Sequence, residues 1–234
     1  MKIIITGASR GIGYDTAFLM ATRGGHEVLA LSRNEERLSR LAEEVEQQAP
    51  EHPLRFLPFD LTQPDFPALK AAVEALGGLD ILINNAGLLI NKPFAVLTPD
   101  DWQRSFYVNI FGPVELIRFG LPWLKKSNHA HIVNISSMGG FQGSAKFPGL
   151  SAYSAGKAAL SNLTECLAEE LKEEGIKVNC LALGAVDTEM LQEAFPGMEP
   201  PVSSAQMAEY LSHFALTAHR FYNGKVLPVS VSTP

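Results

Sequence analysis

The stretch Ile3-Ile4-Ile5-Thr6-Gly7-Ala8-Ser9-Arg10-Gly11-Ile12-Gly13 decides how the rest of the chain is read. Residues 3–5 form a short, fully apolar run, as expected of a strand buried on both faces. Thr6 and Gly7 end it, and a helix is predicted over 11–23, stopping at Gly24-Gly25. The glycines of the intervening turn allow a tight bend and close approach of the backbone to an anion. The helix that follows aims its free N–H groups and the positive end of its dipole at the same place. Strand, glycine loop and helix in this order predict a seat for the pyrophosphate of a dinucleotide. The spacing Gly-x-x-x-Gly-x-Gly differs from the common Gly-x-Gly-x-x-Gly, and no Gly-Lys-Ser/Thr follows to make a nucleoside triphosphate loop.

Outward from this loop, strands and helices alternate. Strands are predicted over 27–32, 54–58, 79–84, 131–136, 176–182 and 224–229. Helices are predicted from the Asn34 cap to about 48, over 65–76, 98–126, 151–174 and 203–217. Gly112-Pro113 and Pro122 are expected to interrupt the region 98–126. Such alternation gives a parallel sheet wrapped by helices on both faces. No repeat, low-complexity tract or linker divides the chain, so residues 1–234 read as a single domain.

The formal net charge of -6 argues against a general nucleic-acid binder. No apolar run is long enough to span a membrane, and the N-terminal apolar run is too short for a signal peptide. Cys166 and Cys180 are expected to be buried free thiols, a usage that fits a reducing cytoplasm. Their spacing suits no metal, His129 and His131 read as surface or core residues, and no metal site is expected.

The end of the second predicted strand bears on the type of dinucleotide. A carboxylate there would hold a ribose 2′-hydroxyl and repel a 2′-phosphate. The strand ends instead in Ser32-Arg33. Arg33, with Arg10 from the glycine loop, can pair with a phosphate through guanidinium N–H groups, so NADP(H) is favoured over NAD(H). Further on, Ser151-Ala152-Tyr153-Ser154-Ala155-Gly156-Lys157 places a tyrosine and a lysine four residues apart on one helix face. A lysine cation beside the phenol is expected to lower the tyrosine pKa and make it a usable acid or base.

Several ordered pieces now add up. Residues 6–13, Asp60-Leu61, Asn84-Asn85-Ala86-Gly87, Asn109, Ile135-Ser136-Ser137, Tyr153-Ser154-Ala155-Gly156-Lys157 and Gly184-Ala185-Val186-Asp187-Thr188 resemble the motifs of the short-chain dehydrogenase/reductase family, in the family's order. The resemblance implies a Rossmann-type doubly wound parallel sheet of about seven strands with helices on both faces. It implies an NADPH-dependent oxidoreductase that interconverts a carbonyl and an alcohol. Tyr153 would be the general acid or base, Lys157 would lower its pKa and hold the nicotinamide ribose, and Ser137 would bond the substrate oxygen. Ser136, pointing to the other face of its strand, is the less favoured serine. Asn109 would help keep a water-linked proton relay to Lys157. The cofactor would lie on Gly7, Ser9, Arg10, Gly11, Ile12, Gly13 and Arg33, with Asp60 and Leu61 at the adenine. Asn85, Ala86 and Gly87 would face the adenosine side and ribose, and Thr188 the carboxamide and phosphates. The resemblance also implies a small carbonyl or alcohol substrate and a homodimer or homotetramer built on the helical regions 98–126 and 151–174. The alternative is a catalytically weak dinucleotide-binding or sensor protein on the same fold.

Two departures from the family pattern concern the substrate. The interval from Ser137 to Tyr153 is longer than usual, the extra residues falling in 143–150. The expected substrate lid, near 189–202, is short and apolar. An open pocket lined by Met190, Leu191, Phe195 and Phe147 is the expectation, with a core role for these residues as the alternative.

Overall fold

The computed structural model describes residues 1–231; residues 232–234, which the sequence reading includes in the domain, lie outside the described residues. In chain order the elements are β1 (Lys2–Thr6), α1 (Gly11–Gly24), β2 (Glu27–Ser32), α2 (Glu35–Gln48), β3 (Arg55–Pro58), α3 (Phe66–Leu76), β4 (Ile81–Asn84), α4 (Pro99–Phe106), α5 (Gly112–Leu124), β5 (His131–Ser137), α6 (Ser151–Glu170), β6 (Lys177–Leu183), β7 (Val186–Asp187), α7 (Glu189–Ala194), β8 (Val202–Ser203), α8 (Ser204–Thr217) and β9 (Val226–Val229). Seven strands form one sheet in the order β3-β2-β1-β4-β5-β6-β9, every pair parallel. The doubly wound α/β sheet expected from the sequence is therefore present. β7 and β8 pair separately as a two-stranded ribbon beyond β6.

Alternation along the strands explains the two layers. Ile3 and Ile5 of β1, with Val28, Ala30, Ile81 and Ile83, face α1, α2 and α8 through Met20, Leu38, Leu41 and Leu211. Ile4, between them, joins Leu29, Leu31 and Leu82 on the other face, against Leu69, Val73, Leu116 and Ile117 of α3 and α5. Each such side chain, fully buried, contributes about 1.5–3 kcal/mol of hydrophobic stabilisation. Helix ends follow local chemistry. Asn34, Asp65, Thr98 and Ser203 each accept a backbone N–H as N-caps, and Gly25 and Gly77 close helices in the left-handed conformation.

Two expectations need correction. The helical region 98–126 is broken not at Gly112-Pro113 itself but just before it, by a π-helical turn over Tyr107–Phe111. There the Gly112 N–H bonds Tyr107 O, five residues back. Pro113 has no N–H to return to the Asn109 carbonyl four residues earlier, which favours local rewinding. Pro122 lies within α5, which continues to Leu124. Cys166, expected inside, is exposed, because it falls on the solvent side of α6; Cys180 is buried and both are free. No helix of the described residues is long and apolar enough to cross a membrane.

α6 is fastened to the sheet by buried polar groups. Asn84 Nδ2 donates to Asn134 Oδ1 at 2.8 Å, and Asn134 Nδ2 donates to Thr164 Oγ1 at 2.9 Å. The Ser136 hydroxyl donates to Lys157 O at 2.8 Å, and the Ser161 hydroxyl donates to Ser136 Oγ at 2.9 Å. Where the chain leaves β5, Met138–Gly140 forms a 3-10 turn that runs against α6. A Cβ on Gly140 would stand 2.6 Å from both the Ala158 nitrogen and the Lys157 carbonyl carbon. Gly140→Ala is therefore expected to destabilise the protein by about 3 kcal/mol, the upper range for overpacking, read as a lower urea midpoint. A midpoint equal to that of the parent protein would show that α6 yields freely here.

Candidate active site

A cavity of about 740 Å³ opens at the carboxyl ends of the strands, where β1 and β4 lie side by side. This is the topological switch point of a doubly wound sheet, the usual ligand crevice of such folds. Gly7, Ser9, Arg10, Gly11, Ile12, Arg33, Asp60, Leu61, Asn85, Ala86, Gly87, Ser137, Tyr153, Lys157 and Thr188 all line it. Gly13 and Asn109, also singled out in the sequence, lie behind its wall.

The glycine loop is held open by backbone geometry. Gly7 has φ +70°, and a Cβ there would stand 2.8 Å from the Ala86 Cα. Gly13 packs against Gly7 O and the Asn85 amide, with no room for a side chain. The Thr6 hydroxyl accepts from the N–H groups of Asn85 (3.0 Å) and Ala86 (2.9 Å), and Asn85 Nδ2 donates to Thr6 O at 2.9 Å. Asn85 thus stitches the end of β4 to the loop after β1, a structural duty that its motif position does not reveal. Asp60 Oδ1 accepts from both the N–H and the hydroxyl of Thr62, and Leu61 packs under Gly112. α1 has no side-chain N-cap bond and no acidic residue in its first turn. Its N-terminal N–H groups therefore point at the cavity without a protein acceptor from the cap, and the cradle fits the pyrophosphate of a dinucleotide.

The cationic rim differs from expectation in one respect. Arg33 is exposed at the cavity edge. Arg10, by contrast, is engaged: Nη1 donates to Glu193 Oε1 at 2.5 Å and to Glu189 Oε2 at 3.2 Å, both from α7. Arg37 of α2, not singled out in the sequence, donates to Glu189 at 2.9 Å. The hydrogen bond to Glu193 raises the Arg10 pKa. Arg37 chiefly holds the Glu189 carboxyl below its usual range, and Arg10 does the same for Glu193. Thr188 caps α7 and touches Gly11, so the glycine loop meets α7 by contact as well as by charge.

At the other end of the cavity, β5 and α6 bring Ser137, Tyr153 and Lys157 together. The Gly139 N–H donates to Ser137 Oγ at 3.1 Å, leaving the hydroxyl proton free to point elsewhere. Tyr153 is partly buried, and burial pushes its pKa up, while the hydrogen bond with Ser137 pulls it back. The expected lysine effect on the phenol is not what dominates here; enclosure by the fold is. Lys157 is 2% exposed, its Nζ donates to Ile135 O at 2.7 Å, and it stands 5.9 Å from the centre of the Tyr153 ring. Burial pushes the Lys157 ammonium down to about 8. Asn109, on the π-turn, accepts from Leu88 N (3.1 Å) and donates to Leu88 O (2.9 Å). Its side chain therefore holds the strand exit, and it meets Lys157 only across Gly87, whose Cβ would lie 3.3 Å from Asn109 Oδ1 and 3.4 Å from Lys157 Nζ. Ser136 is buried beneath α6, as alternation predicted. Met190, Leu191, Phe195 and Phe147 line the cavity, in agreement with the pocket reading. Among the described residues, no cluster of His, Cys, Asp and Glu has the makings of a metal centre.

Sequence reasoning missed Gly139, Gly140 and Leu88, whose backbones set Ser137, Lys157 and Asn109. The Gly-Gly pair straight after a strand was the available signal for the first two. The buried lysine gives a stability test. A lysine in the unfolded chain titrates near about 10.4, so between pH ~8 and ~10 the unfolded state holds more protons. Stability on this residue's account must rise with pH across that window. Lys157→Met is expected to abolish a rise of order 2 kcal/mol between about pH 7.5 and pH 9.5, measured by urea unfolding of both proteins. Parallel pH profiles for the two proteins would refute the depressed lysine.

Comparison with known proteins agrees with this geometry. The family described as short chain dehydrogenase matches residues 1–199. An uncharacterized oxidoreductase of Staphylococcus aureus (strain MW2) is 32% identical over 216 residues, covering 92% of this chain and 90% of that protein. A short chain dehydrogenase from Shigella flexneri 2a, solved in complex with NADP, superposes with a TM-score of 0.87 at 29% identity, covering 97% of this chain and 95% of the other. Levodione reductase shares the fold with a TM-score of 0.87 at 23% identity, over 98% of this chain and 95% of that one. With the glycine cradle and the Ser137–Tyr153–Lys157 cluster at opposite ends of one cavity, the chain belongs to the short-chain dehydrogenase/reductase family, oxidoreductases that bind a nicotinamide dinucleotide.

Proposed function

We propose that this protein is an NADPH-dependent carbonyl reductase, built as one catalytic domain with residues 189–202 as a short lid. The observation that carries the reading is the convergence of Ser137 and Tyr153 on one cavity, above a buried lysine. Bound nicotinamide supplies the hydride that reaches the carbonyl carbon. The chain's own residues do the rest. The Ser137 hydroxyl, oriented by the Gly139 N–H, donates to the carbonyl oxygen as negative charge develops there. Tyr153 donates the second hydrogen bond and passes its proton to that oxygen, so that the carbonyl leaves as an alcohol. Lys157, held by Ile135 O, lies beside the tyrosine ring and stabilises the phenolate left behind. Asn109 acts as a positioning residue, fixing Leu88 and with it the floor of the site.

The preference for NADPH rests on Arg33, on Arg10 and on the lack of a carboxylate at the end of β2. In this reading Glu189 and Glu193 yield Arg10 to the 2′-phosphate. Reduction is then the working direction. A cytoplasmic homodimer or homotetramer, assembled on α4, α5 and α6, belongs to the same proposal.

Three experiments test it. Loss of NADPH absorbance is followed against a panel of ketones and 3-oxoacyl thioesters; a protein that binds NADPH yet turns over none of them is not a reductase. Tyr153→Phe is expected to lower kcat by roughly 10²–10⁴, with cofactor affinity retained. Separately, Arg33→Ala is expected to weaken NADPH binding about tenfold or more while leaving NADH binding unchanged, in fluorescence titration. Equal losses for both cofactors would remove Arg33 from the 2′-phosphate site.

A further inference from the structure

The geometry points to an uncharged ketone bearing a bulky apolar group as the substrate, with that group packed against the Phe147–Phe195 pair; the inference rests on the carbonyl-reductase reading. Phe147 comes from the extra residues of 143–150 and Phe195 from the end of α7, far apart in the chain. Their ring centres lie 6.4 Å apart, tilted by 58°, and Phe147 remains 47% exposed. A large aromatic side chain left half in water at the rim of a cavity is available to a ligand.

The separation of the two rings is set by a short bridge. The Lys92 N–H donates to Gly149 O at 3.0 Å, just past Phe147, and Asn91 Nδ2 donates to Ala194 O at 2.8 Å, just before Phe195. Adjacent residues of one turn thus hold both aromatic arms. That turn is itself anchored, because Lys92 Nζ bonds both carboxylate oxygens of buried Asp101 at 2.8 and 2.9 Å.

The wall between the aromatic pair and Tyr153 is apolar too. Met138 follows Ser137 directly, Leu150 precedes α6 and accepts the Ser154 N–H, and Met190 and Leu191 come from α7. The charges nearby have partners within the protein, and Arg104 of the cavity wall lies 3.8 Å from Asp100. Lys146, next to Phe147, donates to Phe141 O at 2.5 Å and to Ser144 Oγ at 2.7 Å. Lys92 is paired with Asp101, and Glu189 of α7 is paired with Arg37 and Arg10. A carboxylate or phosphate on the substrate would lose its water against methionine and phenylalanine, and the cations at this end of the cavity are already engaged within the protein.

The test uses a matched pair: methyl 4-acetylbenzoate and the free carboxylate, 4-acetylbenzoate, which share the aryl ketone and differ in charge at the far end of the ring. With NADPH, kcat/KM is expected to be about 100-fold higher for the ester, reflecting the uncompensated charge. Phe147→Ala and Phe195→Ala are each expected to raise KM for the ester roughly tenfold, with butanone, which has no ring to grip, unaffected. Equal use of ester and carboxylate, or an unchanged KM in both variants, overturns the inference. Binding of the ester to the NADP⁺-loaded protein, measured by saturation-transfer NMR, separates the two levels of claim. Ester binding that both variants lose, without turnover of any ketone, sinks the reductase reading and keeps the pocket assignment. Ketone turnover that ignores substrate charge and both phenylalanines does the reverse.

Discussion

The contact between Lys157 and the end of β5 organises this site. Lys157 Nζ bonds Ile135 O, the Ser136 hydroxyl bonds Lys157 O, and Gly140 lies against the Lys157 backbone. These links tie one turn of α6 to two adjacent residues of the strand and to the turn that follows it. Because Tyr153 is one helical turn before Lys157, fixing the lysine also fixes the phenol relative to Ser137. A buried ammonium is costly in a mostly apolar fold, and here its main anchor is a single neutral carbonyl. The depressed pKa is the visible sign of that cost. The protein places this charge at the foot of the cavity, where the field of a cation is least screened by water.

The opposite end of the cavity follows another logic. Arg10 and Arg37 lie in a web of side chains at the surface, and their partners Glu189 and Glu193 sit on a six-residue helix. Exposed pairs of this kind are individually weak and exchange partners easily. The cradle beneath them is rigid, made of glycine backbone and the Thr6–Asn85 stitching. Rigid backbone for the pyrophosphate, with surface charge above it, suits a ligand that must enter and leave in each cycle.

Much of this was legible in the chain. The parallel sheet with helices on both faces follows from alternation, the Asn34 cap from its side chain, and the cradle from glycine spacing. All of these are local signals, fixed by residues within a turn or two of one another. What escaped is non-local. Arg10 finds its carboxylates 179 and 183 residues away, which no spacing rule reveals. The pKa of Tyr153 depends on enclosure by the whole fold, so an expectation built on its neighbour four residues on weighed the smaller effect. Cys166 was placed inside on residue type alone, and the face of the helix decided otherwise. The family motifs drew attention to Asn85 and Asn109, but not to the backbone groups that both side chains hold.

The π-turn at Tyr107–Phe111 has a consequence for how this chain tolerates change. An α-helix advances about 100° per residue, so the turn's wider winding shifts the phase between α4 and α5. That shift lets Asp100, Gln103 and Arg104 line the cavity while Leu116, Ile117 and Leu124 face the sheet. A one-residue deletion between Tyr107 and Phe111 would restore regular winding and rotate one half out of register, even if every remaining side chain were kept. Over this stretch residue count is constrained separately from residue identity, and sequences that drift freely in composition must still keep their length.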